Sequence, residues 1–243
     1  MLPAAKGFLV DLDGTLITGR TVLPWARELI DRIGPRFVVM SNDSEHTPDQ
    51  LARLLRSLRL PISADRIVLA GALAVDAVAA KHAGARVLLL GSESLRTYAR
   101  RRGLELVAND PQVILLARDR RFTYAKLALA TNALLNGAAL IVANPDRTHP
   151  GAGGKVVPET GAILSAILAC TGSIGCEVIG KPEPHLFARG LAMLGTCADE
   201  TAMIGDNPET DGIGAARAGM RYVHVREILK NESASSVPAL VPG

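Results

Sequence analysis

Aromatic side chains are scarce in this chain, with one Trp, three Tyr and four Phe among 243 residues. A core must then be built from Leu, Val, Ile and Ala, and a base-stacking surface for nucleic acid has almost nothing to stack with. An excess of one charge is also lacking, since 27 Lys and Arg against 24 Asp and Glu leave a formal net charge of +3. Arg53, Arg56 and Arg59 recur at helical spacing, the pattern of a solvated helix face rather than of a groove for a polyanion. Nucleic acid is therefore not an expected partner. Cysteine is limited to Cys170, Cys176 and Cys197, an odd number without CxxC spacing. That argues against a disulfide framework and a zinc site and suits a reducing compartment; the three read as small buried apolar residues. No apolar run approaches the roughly 20 residues that span a bilayer, and the N-terminus has no signal-peptide pattern. A soluble cytoplasmic protein without a membrane partner is expected.

What the chain does have is a series of short apolar runs separated by helical patterns. Apolar residues make up 48% of the sequence, enough for one large domain or two small ones. Phe8–Val10, Phe37–Met40, Ala85–Leu90, Val113–Ala117, Leu140–Ala143, Glu177–Gly180, Thr201–Gly205 and Arg221–Val225 read as strands. The stretches between several of them carry helical periodicity, notably 23–33, 49–60, 71–82, 92–102, 123–135, 158–171 and 184–194. Strand and helix in alternation predict an α/β fold with parallel sheets. Asn144 to Gly154 reads as a long polar loop, and the Ser- and Pro-containing tail from Asn231 as loosely attached.

Four of the runs end in chemistry: Asp11-x-Asp13, Ser41-Asn42, Lys181, and Asp206 followed by Asp211. Ligands bind at the carboxyl ends of strands in an open parallel sheet, so these groups are predicted to converge. Their types fit phosphate monoester hydrolysis. Asp11, ionised at neutral pH, can act as a nucleophile without a general base. A divalent cation on Asp11 and Asp206 would offset repulsion from the phosphate, and oxygen ligands suit Mg²⁺. Lys181 and Ser41 can hold phosphoryl oxygens. Asp13 can protonate the leaving alcohol and then deprotonate the attacking water. Gly14 permits the sharp turn between the carboxylates, and Asp211 suits a supporting role toward metal-bound water or Lys181. Arg118-Asp119 reads as an ion pair at a strand end, and Trp25 as packing for the first helix.

Asp11-Leu12-Asp13-Gly14-Thr15, Ser41-Asn42, Lys181 and Gly205-Asp206-Asn207-Pro208-Glu209-Thr210-Asp211 together resemble the four motifs of the haloacid dehalogenase (HAD) superfamily. Asp119–Leu127, Ala143-Asn144-Pro145-Asp146 and Gly161-Ala162-Ile163 resemble the cap of its subfamily IIA, which includes NagD-type, 4-nitrophenyl and pyridoxal phosphatases. The resemblance implies a Rossmann-like core, 1–70 with 177–243, and an inserted α/β cap, 71–176. It also implies Mg²⁺ held by the Asp11 carboxylate, the Asp13 backbone carbonyl and Asp206. Ser41, Asn42 and Lys181 would hold the phosphate. Two positions depart from the family pattern: Asp43 stands where an asparagine is common, and Glu159 where a small residue is common. If Asp43 serves the phosphate through its backbone N–H, little is lost; if its side chain faces the phosphate, turnover or substrate charge preference should differ. His149-Pro150 lies at the spacing of a cap His-Pro that meets the substrate ring in pyridoxal phosphatases, which makes pyridoxal 5′-phosphate the first expected substrate. Nucleoside monophosphates, glycerol phosphate and phosphoglycolate are the alternatives, and the cap is also an expected surface for homodimerisation. A receiver-like phospho-Asp signalling module is the non-enzyme alternative, disfavoured by the cap-sized insert.

Overall fold

The computed structural model describes residues 4–150 and 155–228; the tail from Asn231 and the loop residues 151–154 lie outside the described residues. The chain opens with strand β1 (Gly7–Asp11), a small antiparallel hairpin of β2 (Ile17–Thr18) and β3 (Thr21–Val22), helix α1 (Ala26–Ile33), β4 (Phe37–Ser41), α2 (Pro48–Ser57) and β5 (Ile67–Leu69). It leaves this first sheet through α3 (Ala70–Lys81). A second unit follows, made of β6 (Arg86–Leu90), α4 (Glu93–Arg101), β7 (Glu105–Leu106), β8 (Val113–Leu116), α5 (Tyr124–Leu135), β9 (Ala139–Val142), the hairpin β10 (Thr148–Pro150) and β11 (Val156–Pro158), α6 (Thr160–Thr171) and β12 (Glu177–Val178). Helix α7 (Pro184–Leu194), β13 (Thr201–Gly205), α8 (Ile213–Arg217) and β14 (Arg221–His224) complete the first sheet.

That sheet has the order β14-β13-β1-β4-β5 and every pairing in it is parallel. β1, β4 and β13 are buried along their whole length, as parallel strands covered on both faces must be, which is why they read as unbroken apolar runs. Pleating sends Phe8 and Val10 to one face, against Leu29, Ile33, Leu51 and Leu55 of α1 and α2. Leu9 faces the other way, toward Phe187 of α7, where Gly190 lets the helix close in: a Cβ there would stand 2.6 Å from a Leu9 methyl. The chain crosses from β1 to β4 on one side and joins β13 on the other, and the carboxyl end of β1 is therefore a topological switch point.

The second sheet is also five-stranded and parallel, with order β12-β9-β8-β6-β7. Sequence alone assigns Glu177 and Val178 to the first sheet, because their run ends in Lys181. Instead β12 pairs with β9, so Lys181 comes from the connection that leaves the second sheet rather than from the end of a core strand. The two units share one apolar cluster, running from Leu9 and Met40 through Ala74, Val75 and Val78 of α3 to Val87, Leu89 and Leu115. Helix α3 carries small apolar residues around most of its circumference because it is buried from both sides. The other face of the second sheet packs Leu90, Ile114 and Leu116 on Ala130 and Leu134 of α5 and Ile167 of α6.

Two further expectations are corrected. All three cysteines are free and exposed rather than buried. The polar stretch after Asn144 is partly ordered as the hairpin of β10 and β11, with His149 opposite Val157; the Thr-His-Pro strand is too short to show a period of two. No helix among the described residues is long and apolar enough to cross a membrane.

Candidate active site

Asp11 is the last residue of β1 and is buried. The turn after it is tied by Gly14 N–H to the Ile17 carbonyl (2.7 Å) and Leu16 N–H to the Leu12 carbonyl (2.8 Å). Gly14 has φ +83°, and any Cβ there would strike Asp206, 2.0 Å from Oδ2, so glycine is required for both conformation and space. Trp25 lies partly buried against the core and donates its indole N–H to the Thr15 carbonyl at 2.9 Å.

Lys181 Nζ donates to Asp11 Oδ1 at 2.5 Å and to Asp211 Oδ1 at 2.7 Å, all three groups being buried. Thr15 Oγ1 donates to the other Asp11 oxygen at 3.0 Å. Asp211 Oδ2 accepts from the Asn207 N–H at 3.3 Å, and Gly205 leaves the room for it, since a Cβ at that position would lie 2.1 Å away. Carboxylate oxygens of Asp11, Asp206 and Asp211 lie within 4.8 Å of one another. Three carboxylates thus face one ammonium. Burial, followed by the charge of Asp211, outweighs Lys181 and pushes the Asp11 carboxyl up to about 6. Burial and Asp11 push Asp206 upward as well. Burial opposes the charge on Lys181, but Asp11 and Asp211 overcome it and hold the ammonium firmly protonated. An all-oxygen cluster with uncompensated negative charge is chemically suited to a hard divalent cation such as Mg²⁺.

Asp13 stands at the exposed mouth of the site. Desolvation in the cleft, then the charges of Asp11 and Asp43, push its carboxyl up to about 7, a value at which it can both give and take a proton near neutrality. Ser41, at the end of β4, makes a long 3.5 Å contact to Asp13 Oδ2 and accepts from the Asp43 N–H at 3.0 Å.

Asn42 and Asp43 depart from simple phosphate ligands. Asn42 Oδ1 accepts from the Lys181 N–H at 2.7 Å, while Nδ2 donates to the Lys181 carbonyl (3.1 Å) and to Asp146 across the cleft (3.1 Å). Its side chain therefore clips Lys181 and the cap together. The Asp43 carboxylate turns away from the site: Oδ1 accepts from the Glu45 and His46 N–H groups and Oδ2 meets His46 Nδ1 at 2.7 Å. Arg118 does not pair with Asp119, which is held by Lys126 at 2.6 Å. It reaches Glu45 and Glu159, each at 3.2 Å. His149, on β10, lies beside Glu159 at 2.6 Å. Sequence alone missed this role for Arg118, and the unusual glutamate at 159 was the one signal that pointed to it. A hollow of about 260 Å³ lies at the opposite ends of the strands, among Lys6, Arg36, Arg66 and Leu194, remote from these groups.

Comparison with known proteins places this geometry. Residues 8–105 match the family described as haloacid dehalogenase-like hydrolase, and residues 178–235 match a second HAD-hydrolase-like family. The acid sugar phosphatase of Staphylococcus aureus is 34% identical over 226 residues, covering 91% of this chain and 86% of the relative. The chain belongs to the haloacid dehalogenase-like hydrolases. The p-nitrophenyl phosphatase from Archaeoglobus fulgidus superposes with a TM-score of 0.84 at 28% identity, covering 98% of this chain and 95% of that one. A glycerol phosphate phosphatase from Mycobacterium tuberculosis in complex with magnesium gives 0.82 at 29% identity, covering 90% and 67%. Within the superfamily the chain is of the NagD and 4-nitrophenylphosphatase type, a Rossmann-like core carrying a cap, and it is a phosphoric monoester hydrolase for small molecules.

Proposed function

We propose that this HAD phosphatase is Mg²⁺-dependent, works through an aspartyl-phosphate on Asp11, and takes sugar or polyol phosphates as its first substrate class. The observation that carries the mechanism is the buried Asp11 carboxylate at a strand end, gripped by Lys181 and grouped with Asp206 and Asp211. When bound by Asp11, Asp206 and the Asp13 carbonyl, Mg²⁺ would neutralise the approaching phosphate and the developing charge. Lys181 supplies a fixed positive charge next to Asp11, with Asp211 keeping it in place. Asp11 attacks phosphorus, the bond to the leaving oxygen breaks, and Asp13 gives that oxygen its proton. Asp13 then takes a proton from water, which attacks phosphorus and frees Asp11. Ser41 Oγ, held by the Asp43 N–H, and the Asn42 N–H are the phosphate's neutral donors in this scheme.

The substrate class rests on relatives whose names specify sugar phosphate and glycerol phosphate. Pyridoxal 5′-phosphate is the second reading, favoured by His149-Pro150 at the spacing of the cap His-Pro of pyridoxal phosphatases. A panel of phosphorylated metabolites with Mg²⁺ and with EDTA tests both. Asp11→Asn is expected to lower turnover by roughly six orders of magnitude, the scale at which nucleophile removal acts, and EDTA to abolish activity until Mg²⁺ is restored. Activity on 4-nitrophenyl phosphate that survives in Asp11→Asn would overturn the mechanism. Preference for pyridoxal 5′-phosphate over every sugar and polyol phosphate would reverse the choice of substrate.

A further inference from the structure

The hollow at the amino ends of the first sheet has an apolar floor. Phe37 and Val38 form it from the start of β4, with Met193 and Leu194 from the end of α7. Around that floor stand three cations, Lys6, Arg36 and Arg66, against one acid, Asp65. The five residues of β4, at about 3.3 Å each, put roughly 16 Å between the two ends of the strand. That is about two Debye lengths at physiological salt, so the hollow is electrostatically separate from the carboxylates of the active site.

The three cations are not equivalent. Lys6 is paired with Glu200. Arg66 lies over the Phe37 ring, 5.5 Å from its centroid, and its Nη1 donates to the Pro35 carbonyl and, at 3.4 Å, to that of Phe37. Arg36 Nη1 donates to the Ala5 carbonyl at 3.4 Å. Both guanidiniums are thus tethered to main-chain oxygens, and among the described residues neither forms a salt bridge. Asp65 accepts from the Ser63 hydroxyl, and Arg66 acts on it only as a nearby charge. The tethers use Nη1 of each arginine and leave the edge of Nε and Nη2, the edge that grips a planar oxyanion with two parallel hydrogen bonds.

We propose that this hollow is a second ligand site, for a small organic acid. Its phosphate or carboxylate head lies on Arg36 and Arg66, and its carbon body covers Phe37, Met193 and Leu194. The head makes charge-assisted hydrogen bonds to two guanidiniums already held in place, and the body takes the apolar floor out of water. With about 30 Å³ per water in the liquid, the 260 Å³ of the hollow have room for roughly nine waters. A bare inorganic ion would leave most of that space and the floor uncovered. The site does not depend on the reaction at Asp11.

Calorimetric titration of EDTA-treated protein at low salt tests this, with phenylphosphonate, benzoate and inorganic phosphate as probes. Without metal, Asp11, Asp206 and Asp211 outnumber Lys181, so the active site repels all three anions. Phenylphosphonate is expected to bind at one site with a Kd of about 1 mM or below. Inorganic phosphate should bind about tenfold more weakly or worse, because it lacks the apolar body. Arg36→Gln and Arg66→Gln should each weaken phenylphosphonate about tenfold, the scale of lost charge-assisted hydrogen bonds. Asp65→Asn should tighten it, and Arg121→Gln, at an exposed arginine of the cap, should leave it unchanged. Arg66 also tethers main chain, so if Arg66→Gln does not fold, Arg36→Gln at the exposed side chain decides. Tighter binding of benzoate than of phenylphosphonate would assign the site to a carboxylate ligand, and the reverse order to a phosphate. No saturable heat with either organic probe up to about 20 mM would overturn the proposal. An affinity unchanged in Arg36→Gln, or inorganic phosphate binding as tightly as phenylphosphonate, would overturn it equally.

Discussion

One amide, Asn42, joins three parts of the site: both backbone groups of Lys181, the carboxylate of Asp146 and, through its position after Ser41, the phosphate loop. Asn42→Ala removes those bonds while leaving Asp11, Asp13 and Asp206 in place. It is expected to lower kcat/KM by about 10- to 100-fold and stability by about 1–3 kcal/mol, measured by steady-state kinetics and urea unfolding. The carboxylates set a second expectation at this scale. Asp11 and Asp13 sit at about 6 and about 7, above the ordinary 3.8 of an aspartate. Between about pH 4 and 7 the folded chain keeps protons that the unfolded chain has already released, so these groups make stability fall as pH rises through that window. EDTA-treated protein should therefore melt a few degrees lower at pH 8 than at pH 5, and Mg²⁺ should recover most of the difference at the higher pH. A flat profile without the metal would contradict the burial of charge described here. Individual residues were legible in sequence where they end an apolar run, as Asp11, Ser41 and Asp206 do. Asp43, Arg118 and Glu159 were not, because their partners are fixed by loop geometry rather than by spacing. Arg118 meets Glu45 and Glu159, 73 and 41 positions away in opposite directions, in preference to the adjacent Asp119.

Among the elements, the parallel strands could be read from their apolar runs and most helices from their periodicity. The misassigned strand was β12, whose short run ends in Lys181 just as the core strands end in their own reactive groups; only its pairing with β9 distinguishes it. The β10–β11 hairpin and the start of α6 form the element that carries His149 and Glu159, and their packing depends on Gly161. A Cβ at that position would stand 2.2 Å from the Pro145 carbonyl oxygen and 2.7 Å from that of Asp146. Both are backbone atoms, so there is no flexible side-chain end to give way. Gly161→Ala should lower Tm by about 3–8 °C and reduce kcat/KM on sugar phosphates more than on 4-nitrophenyl phosphate. Differential scanning fluorimetry and a two-substrate assay would check the two effects, and an unchanged Tm would show that the loop can shift at no cost.

At the scale of the whole molecule, core and cap are not two bodies joined by a thread. One apolar cluster runs through both, with α3 as its shared element. Gly71 at the start of that helix fits so closely on the phosphate loop that a Cβ would lie 2.7 Å from Ser44 Cα. The two units should therefore unfold together. Urea melts followed by the fluorescence of Trp25, the single tryptophan and a core residue, and by far-UV circular dichroism should share one midpoint; separated midpoints would mean an independently folding cap. The same contacts bear on how new specificities can be built from this scaffold. Ser44 Oγ reaches both Thr160 and Asn144, while Asn42 holds Asp146. A transplant of residues 71–176 onto a related core would set these cap groups against a foreign loop and leave buried polar atoms without partners. The exchangeable cassette in this architecture is the cap together with residues 41–45, and a chimaera cut on that boundary keeps intact the join that an excision of the cap alone would break.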